Sequence, residues 1–370
     1  MNLRSPGPTP CPDDVLEAMG RQMIHHRSPA FAEIIGRVTD GLKLVFETKN
    51  DVYCLSCSGT GALEAMVVNT LSPGDRVLVV SIGNFGDRFA TIAKTYGAGV
   101  TKIDFAWGTA ADPETVARAL EEDGSYKAVC VTHNETSTGI TNDLEAIAKA
   151  VRRVRPDILL LVDAISSLGS IRCRVDEWDL DVVATGSQKG WMVPPGLAMV
   201  SVSDRGWKAY EQAKMPRFYF DLGKAREFLA KGQTPWTPAI SIFFALDVAL
   251  KTLVAEGVDG IVARHQRIAG MTRNGVKALG LELLADERYA SNTVTAVRVP
   301  EGVEWPKLYK LLQDEYDTLI EGGQGVLAGK IFRIGHLGWV TDDDITLTLD
   351  VLRAALPRVG FAVPQAAPAR

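Results

Sequence analysis

The 370-residue sequence lacks a basic excess. Its 40 Lys and Arg stand against 45 Asp and Glu, a formal net charge of −5. A general nucleic-acid binder carries a clustered positive surplus, so that class is disfavoured. No run approaches the ~20 consecutive apolar residues of a membrane span. The opening "MNLRSPGPTPCPDD" has no apolar core of a secretory signal, and the closing "PQAAPAR" is not a Ser-Lys-Leu-type address. A cytoplasmic protein without membrane or nucleic-acid partners is the expectation. Cysteine is scarce, and its five copies make an odd number, which reads as reduced thiols. Cys54 and Cys57 form one C-x-x-C. No second such pair and no H-x-x-x-H completes a zinc site, so "VYCLSC" reads as a buried strand with its thiols packed as small apolar groups. Low-complexity tracts and internal repeats are also missing.

What is present describes a globular chain, 46% hydrophobic and 23% charged. It is too long for one ordinary core, so two domains are expected. From residue 52 to 202 short apolar runs alternate with amphipathic segments. "VYCLSC", "RVLVVSI", "GVTKIDF", "KAVCVTH", "DILLLVD", "DVVATGS" and "LAMVSVS" read as strands. "GALEAMVVNTL", "GDRFATIAKTYG", "DPETVARALEE" and "DLEAIAKAVRRV" read as helices. This alternation predicts a mostly parallel sheet covered by helices on both faces. From about 240 the pattern changes to two long helical segments, about 240–255 and 259–279. Strands in "TVTAVRVP", "TLIEGGQ" and "KIFRIGHLG" follow, with helices in "WPKLYKLLQDEY" and "DDDITLTLDVLRAALPRVG". The acidic "TDDDIT" reads as a helix start capped by Thr341 or Asp342. The expected division is 1–245, an arm and large domain, and 246–370, a smaller α+β domain with a frayed "AVPQAAPAR" tail.

In an open α/β sheet, ligands bind outside the carboxyl ends of the strands. Polar or small residues end five predicted strands: Ser58-Gly59-Thr60, Asn84-Phe85, His133 through Gly139, Asp163, and Ser187-Gln188-Lys189. "SCSGTGALEAM" can turn tightly into a helix whose free N–H groups suit a phosphate, or it is a plain strand–helix turn. It is not a Walker A loop, because no Lys-Ser/Thr follows Gly61. It is not a dinucleotide fingerprint either, because Glu64 replaces the third glycine. Asp163 ends an apolar strand, where a carboxylate needs a cation or donors; a cap or salt bridge is the plainer reading. Lys189, 26 residues later, is the sole charged residue of "GSQKGWMVPPGL". An aspartate and a lysine converging beside a phosphate-binding helix start suggest pyridoxal 5′-phosphate. The lysine forms the Schiff base, the aspartate keeps the pyridine nitrogen protonated, and the helix start takes the phosphate.

The blocks "SGTGALEA", "HNETSTGITND", "LLLVDAISSLG", "RVDEWDLDVVATGSQKG" and "FRIGHLG" extend this. In this order they resemble the class V aminotransferases, nearest the alanine–glyoxylate and serine–glyoxylate group. The resemblance runs from "SPGPTP" to "VLRAAL". It implies fold type I, with a large cofactor domain, a small C-terminal domain and a homodimer with active sites at the interface. It implies that Lys189 holds the cofactor and moves the α-proton, and that Asp163 pairs with the pyridine nitrogen. Phe85 stacks on the ring, and Thr136 meets the phenolic oxygen. Ser58, Gly59 and Thr60 hold the phosphate, with Gln188 beside the lysine. Thr237 reaches the phosphate of the other subunit, and Arg333 binds the substrate carboxylate through its guanidinium fork. Thr60 and Phe85 stand where the best-known alanine-type enzymes carry His and Trp. "QTPWTP" offers Thr234 and Trp236 in place of a tyrosine used by some relatives.

The implied reaction is transfer of an amino group from a small L-amino acid, serine or alanine, to a 2-oxo acid, glyoxylate or pyruvate. "NETSTGITND" and "VDEWDLDV" look closer to the serine type. A lyase or desulfurase of the same fold is the first alternative; it typically carries His before the lysine and a loop cysteine. Here Gln188 precedes Lys189 and "GGQGVLAGK" has no cysteine. A non-catalytic subunit of a larger complex is the second, and it would be expected to have a degraded site. Adjacent His25 and His26 point to different sides with no third ligand, which disfavours a metal. His133 reads as a structural hydrogen-bonding residue. His336 reads either as a substrate neighbour or as a turn cap.

Overall fold

A computed structural model of the chain describes residues 1–364. Seven strands form one sheet: β1 (Val52–Leu55), β2 (Arg76–Ser81), β3 (Gly99–Asp104), β4 (Tyr126–Thr132), β5 (Leu159–Asp163), β6 (Val182–Gly186) and β7 (Ala198–Val202). Their order is β1-β7-β6-β5-β4-β2-β3, and only β7 runs antiparallel to its neighbours. Apart from the partly exposed edge strand β3, the strands show no apolar/polar alternation because both faces are covered. Leu78, Val80, Val129, Val131, Leu160 and Val162 enter one core with Phe31, Leu42, Phe243 and Leu246. Their alternate neighbours Val77, Val79, Ala128, Cys130, Leu159 and Leu161 enter a second core with Leu63, Met66 and Phe89. A period-two strand between two helical layers needs apolar residues at every position.

The helices on these faces are α1 (Pro29–Phe46), α2 (Gly59–Thr70), α3 (Asn84–Thr95), α4 (Pro113–Glu122), α5 (Leu144–Val154) and α6 (Asp204–Gln212). Several begin where a short polar side chain accepts from the first turn. Asp112 accepts from the N–H groups of Glu114 and Thr115, and Asp143 from that of Ala146. The long helix α7 (Ile240–Ala278) is two helical stretches joined at Gly257, whose φ of 71° lies in the left-handed region. This agrees with the two segments expected from the sequence.

The C-terminal part holds the antiparallel sheet β8 (Val294–Arg298), β9 (Glu321–Gly322) and β10 (Ile331–Gly335), in the order β8-β10-β9. Helices α8 (Trp305–Tyr316) and α9 (Asp342–Ala355) pack with it around Leu279, Phe332, Ile334 and Leu352. Thr341, not Asp342, caps α9, in a reciprocal box with Asp344. The first residues are not a loose arm. Asn2–Leu3 pairs in parallel with Thr318–Leu319, and the chain then crosses to the carboxyl edge of the large sheet. The expectation of a frayed tail falls in large part outside the described residues. No described helix is long and apolar enough to cross a membrane.

Candidate active site

The parallel topology brings the carboxyl ends of β1, β2, β4, β5 and β6 to one edge of the large sheet. Asp163 is the last residue of β5, paired in register with Thr132 of β4 and Ala184 of β6. Its carboxylate is buried and accepts one hydrogen bond, from the Ile165 N–H at 3.0 Å. Burial pushes the Asp163 carboxyl up to about 7, with the nearby Glu135 carboxylate acting in the same direction. Lys189 follows β6 in a tight turn. Burial brings its amine down to about 8, helped by Arg333 and Arg88 and opposed by Asp163. No salt bridge links the two residues among the described contacts. Each titrates in the other's field without neutralising it.

Two helices start at this edge, and their N-termini differ. At α3 the N–H of Asn84 donates to Ser137 Oγ (2.9 Å), and those of Phe85 and Gly86 donate to Glu135 Oε2 (3.0 and 3.1 Å). Ser137 completes the plug by donating its N–H and hydroxyl to Glu135 Oε1. Glu135 is fully buried, and that burial raises its carboxyl pKa against these stabilising bonds. At α2 the N-cap Ser58 makes no side-chain cap bond, its side chain is exposed, and the N–H groups of Gly59 and Thr60 have no acceptor among the described residues. One helix start is therefore occupied by a protein carboxylate, and the other is open to an external anion. A Cβ on Gly59 would meet Ile165 Cδ1 at 2.6 Å, so any larger residue here would force the Ile165 side chain to shift. Glu135→Ala would orphan two buried helix N–H groups. It is expected to destabilise the protein by about 3 kcal/mol, at ~1–3 kcal/mol per unsatisfied group. A thermal midpoint unchanged by the substitution would contradict this account of α3.

Arg333 sits in β10, the central strand of the small sheet, opposite Ala296 and Glu321. It is 4% exposed yet forms no salt bridge. Its Nε donates to Gly322 O (2.9 Å) and its Nη1 to Thr136 O (3.3 Å). The rest of the fork donates to no described protein atom. Glu321 and Glu135 act on it only through space, and a buried cation with spare donors and no ion pair is costly unless a ligand supplies an anion. Thr136 joins the two sheets here: its carbonyl receives Arg333, and its hydroxyl donates to Ser166 Oγ at 2.9 Å. Gln188 contributes a second unmet group, because its Oε1 is buried without a partner. Phe85 is half-buried with the Arg88 guanidinium 4.7 Å over its ring.

Lys189 thus lies close enough to both Asp163 and Arg333 for each to shift its titration, with Gln188, Phe85, Thr136 and Ser58 through Thr60 at the same edge. Thr237 is exposed and contacts none of these residues through a described hydrogen bond; its segment is held where the Ala239 N–H donates to Ser56 Oγ. His336 neither caps a turn with its ring nor reaches solvent; it bonds Thr295 Oγ1 (2.8 Å) behind Arg333. The buried ring of His133 stands edge-on to Trp178, and burial lowers its pKa to about 4. Burial raises both Cys54 and Cys57 to about 12, which leaves inert thiols. No metal-holding cluster exists among the described residues. The sequence reading had missed Glu135, Arg88 and Ser166. Glu135 lay inside a quoted block, but nothing local reveals that its partners are the N–H groups of a helix 50 residues earlier.

The chain as a whole resembles known proteins. The profile for class-V aminotransferases matches residues 1–340. The chain belongs to the class-V aminotransferase family. It is 47% identical over 97% of its length to a protein of Synechococcus sp. named soluble hydrogenase, small subunit, covering 94% of that protein. An L-aspartate–glyoxylate aminotransferase of Paracoccus denitrificans is 39% identical over 91% of this chain and 86% of its own length. A serine–glyoxylate aminotransferase of Arabidopsis thaliana is 36% identical, over 98% and 92%. Among solved structures, an alanine–glyoxylate aminotransferase of Nostoc sp. superposes with a TM-score of 0.92 at 31% identity, over 96% of this chain and 94% of that one. The class-V fold is fold type I, and the large mostly parallel sheet observed here is its hallmark. Class-V aminotransferases in general depend on pyridoxal 5′-phosphate.

Proposed function

We propose that the chain binds pyridoxal 5′-phosphate and transfers the amino group of a small L-amino acid, serine or alanine, to glyoxylate or pyruvate. The observation that carries this is the pairing of an open helix start at α2 with an unpaired, buried Arg333, on either side of Lys189. The residues fit the cofactor. The N–H groups of Gly59 and Thr60 and the Ser58 hydroxyl would hold its phosphate, and Gln188 would add the N–H donors of its amide beside it. Asp163 would face the ring nitrogen, Phe85 a ring face, and Thr136 the phenolic oxygen. When bound, the group supplies an aldehyde and a ring able to take up the electron pair left by a departing α-proton.

The protein's own residues do the rest. Arg333 binds the substrate carboxylate and so fixes the α-carbon. Lys189, with its amine at about 8, is about one-tenth neutral at pH 7 and can both take and return a proton. Asp163 regains its charge when a cationic group faces it. In this reading residues 1–245 supply Lys189 and Asp163, and residues 246–370 supply Arg333. Exposed Thr237 reaches the phosphate of a second copy in a homodimer.

Relatives named as hydrogenase subunits favour a second reading, a non-catalytic subunit. The two separate in one assay. Loaded protein mixed with L-serine or L-alanine and glyoxylate is expected to yield glycine. No glycine from any small donor, L-aspartate included, would sink the aminotransferase reading.

A further inference from the structure

The segment Arg4–Thr9 runs over Lys189 as a strap fixed at both ends. On one side the Arg4 N–H donates to Leu319 O (2.8 Å), and Arg4 O accepts from the N–H of Gly335 (2.6 Å), two residues beyond Arg333. On the other side the Thr9 N–H donates to Gln188 O and the Thr9 hydroxyl to Lys189 O, each at 3.2 Å. Between these anchors Lys189 Nζ donates to the carbonyl of Pro6. Gly7 follows at φ 126°, and a Cβ there would fall 2.8 Å from both Cδ and Cε of Lys189. The space a side chain would fill is the space the lysine occupies.

We propose that the strap is a positioning element for the catalytic lysine: the Pro6 carbonyl holds the free amine, and side-chain-less Gly7 leaves room for it. The proposal rests on the cofactor reading above and adds a function for backbone that the reading does not use. A neutral amine that donates one N–H to a carbonyl keeps its lone pair for the proton it must take. Because the strap is also bonded to the Arg333 strand, it keeps a fixed span between the base and the carboxylate anchor. The groups facing the amine are Asp163 from β5, Arg333 from β10 and Arg88 from α3, none of them on the strap. Its only strap partner is uncharged.

The test uses the full chain in two experiments on wild type, Gly7→Ala and Thr9→Val. In the first, cofactor-free protein is reductively methylated with formaldehyde across a pH series, and labelling at Lys189 is mapped by peptide mass. An acceptor favours the ammonium by roughly 1.5–3 kcal/mol, so displacing it is expected to lower the Lys189 midpoint by about one unit or more. In the second, pyridoxal 5′-phosphate is added and the visible band is followed. Misplacing a reacting group by ~1 Å costs about 100-fold, which is the slowing expected for Gly7→Ala; a smaller slowing is expected for Thr9→Val. A structural role alone would lower thermal stability without moving the Lys189 midpoint. If Gly7→Ala does not fold, Thr9→Val decides. An unchanged midpoint and a rate within twofold of wild type in the folded variants overturn the proposal. If wild type forms no band, the cofactor reading fails, and the methylation midpoint still judges the strap.

Discussion

Lys189→Ala is expected to be colourless with pyridoxal 5′-phosphate and to lose transamination by at least about 10⁴-fold, the upper range for a positioned acid–base group. The Lys189 amine ends against the Pro6 carbonyl and Gly7 with no carboxylate in contact, so its charge has no ion-pair role there. Burial lowers its pKa to about 8, and the neutral amine is the form that attacks an aldehyde. Wild-type band formation is therefore expected to quicken as pH rises through about 8. The alanine variant should keep its fold, because the bond it loses to the Pro6 carbonyl is offset by the burial cost it removes. A variant that still forms a borohydride-sensitive band would show that another amine does the work.

Asp163→Asn is expected to lower turnover by about 10³-fold, the scale for removing a preorganised charge partner. The same variant should be more stable than wild type when cofactor-free. The Asp163 carboxyl has a folded pKa of about 7 against 3.8 for the free group. Between those values the native state holds a proton that the unfolded state has released. The contribution of this group is thus fully present below about 3.8 and is lost as pH rises through about 7. At pH 8 wild type bears a buried carboxylate, which Asn replaces with a neutral isostere that can keep the Ile165 N–H bond. The difference is of order 4 kcal/mol near pH 8, at 1.36 kcal/mol per unit, and vanishes near pH 4. Loading should reverse the ranking, because only the aspartate gains from a cationic ring nitrogen. Thermal midpoints of both proteins at pH 4 and pH 8, with and without cofactor, check the sign. A variant never more stable than wild type would refute it.

The two-sided strands were readable because their signal is local. "LLLVD" and "RVLVVS" are apolar at every step, and the polar residue that ends each run marks the sheet edge. Lys189 and Asp163 were readable for the same reason. Helix α1 was not. Its interior contains Gly36, Val38, Thr39 and Gly41, poor helix formers, and it is held by packing on α7, where a Cβ on Gly41 would lie 3.3 Å from Leu250. Glu135 and the strap share a different obstacle. The helix N–H groups held by Glu135 lie about 50 residues away, and the lysine held by the Pro6 carbonyl lies 183 residues away. Neither separation leaves a periodic trace. Their chemistry is also carried largely by backbone N–H and C=O groups, which every residue type provides. Arg333 was legible only through the resemblance of "FRIGHLG"; its place in the middle of β10 and its lack of any ion-pair partner among the described residues emerge only from the fold.

The central claim is that Lys189 carries the cofactor. Loading the protein with pyridoxal 5′-phosphate, reducing it with borohydride and mapping the label by peptide mass tests this directly. The account predicts one phosphopyridoxyl group per chain, on Lys189. A label on another lysine, or none, would contradict it.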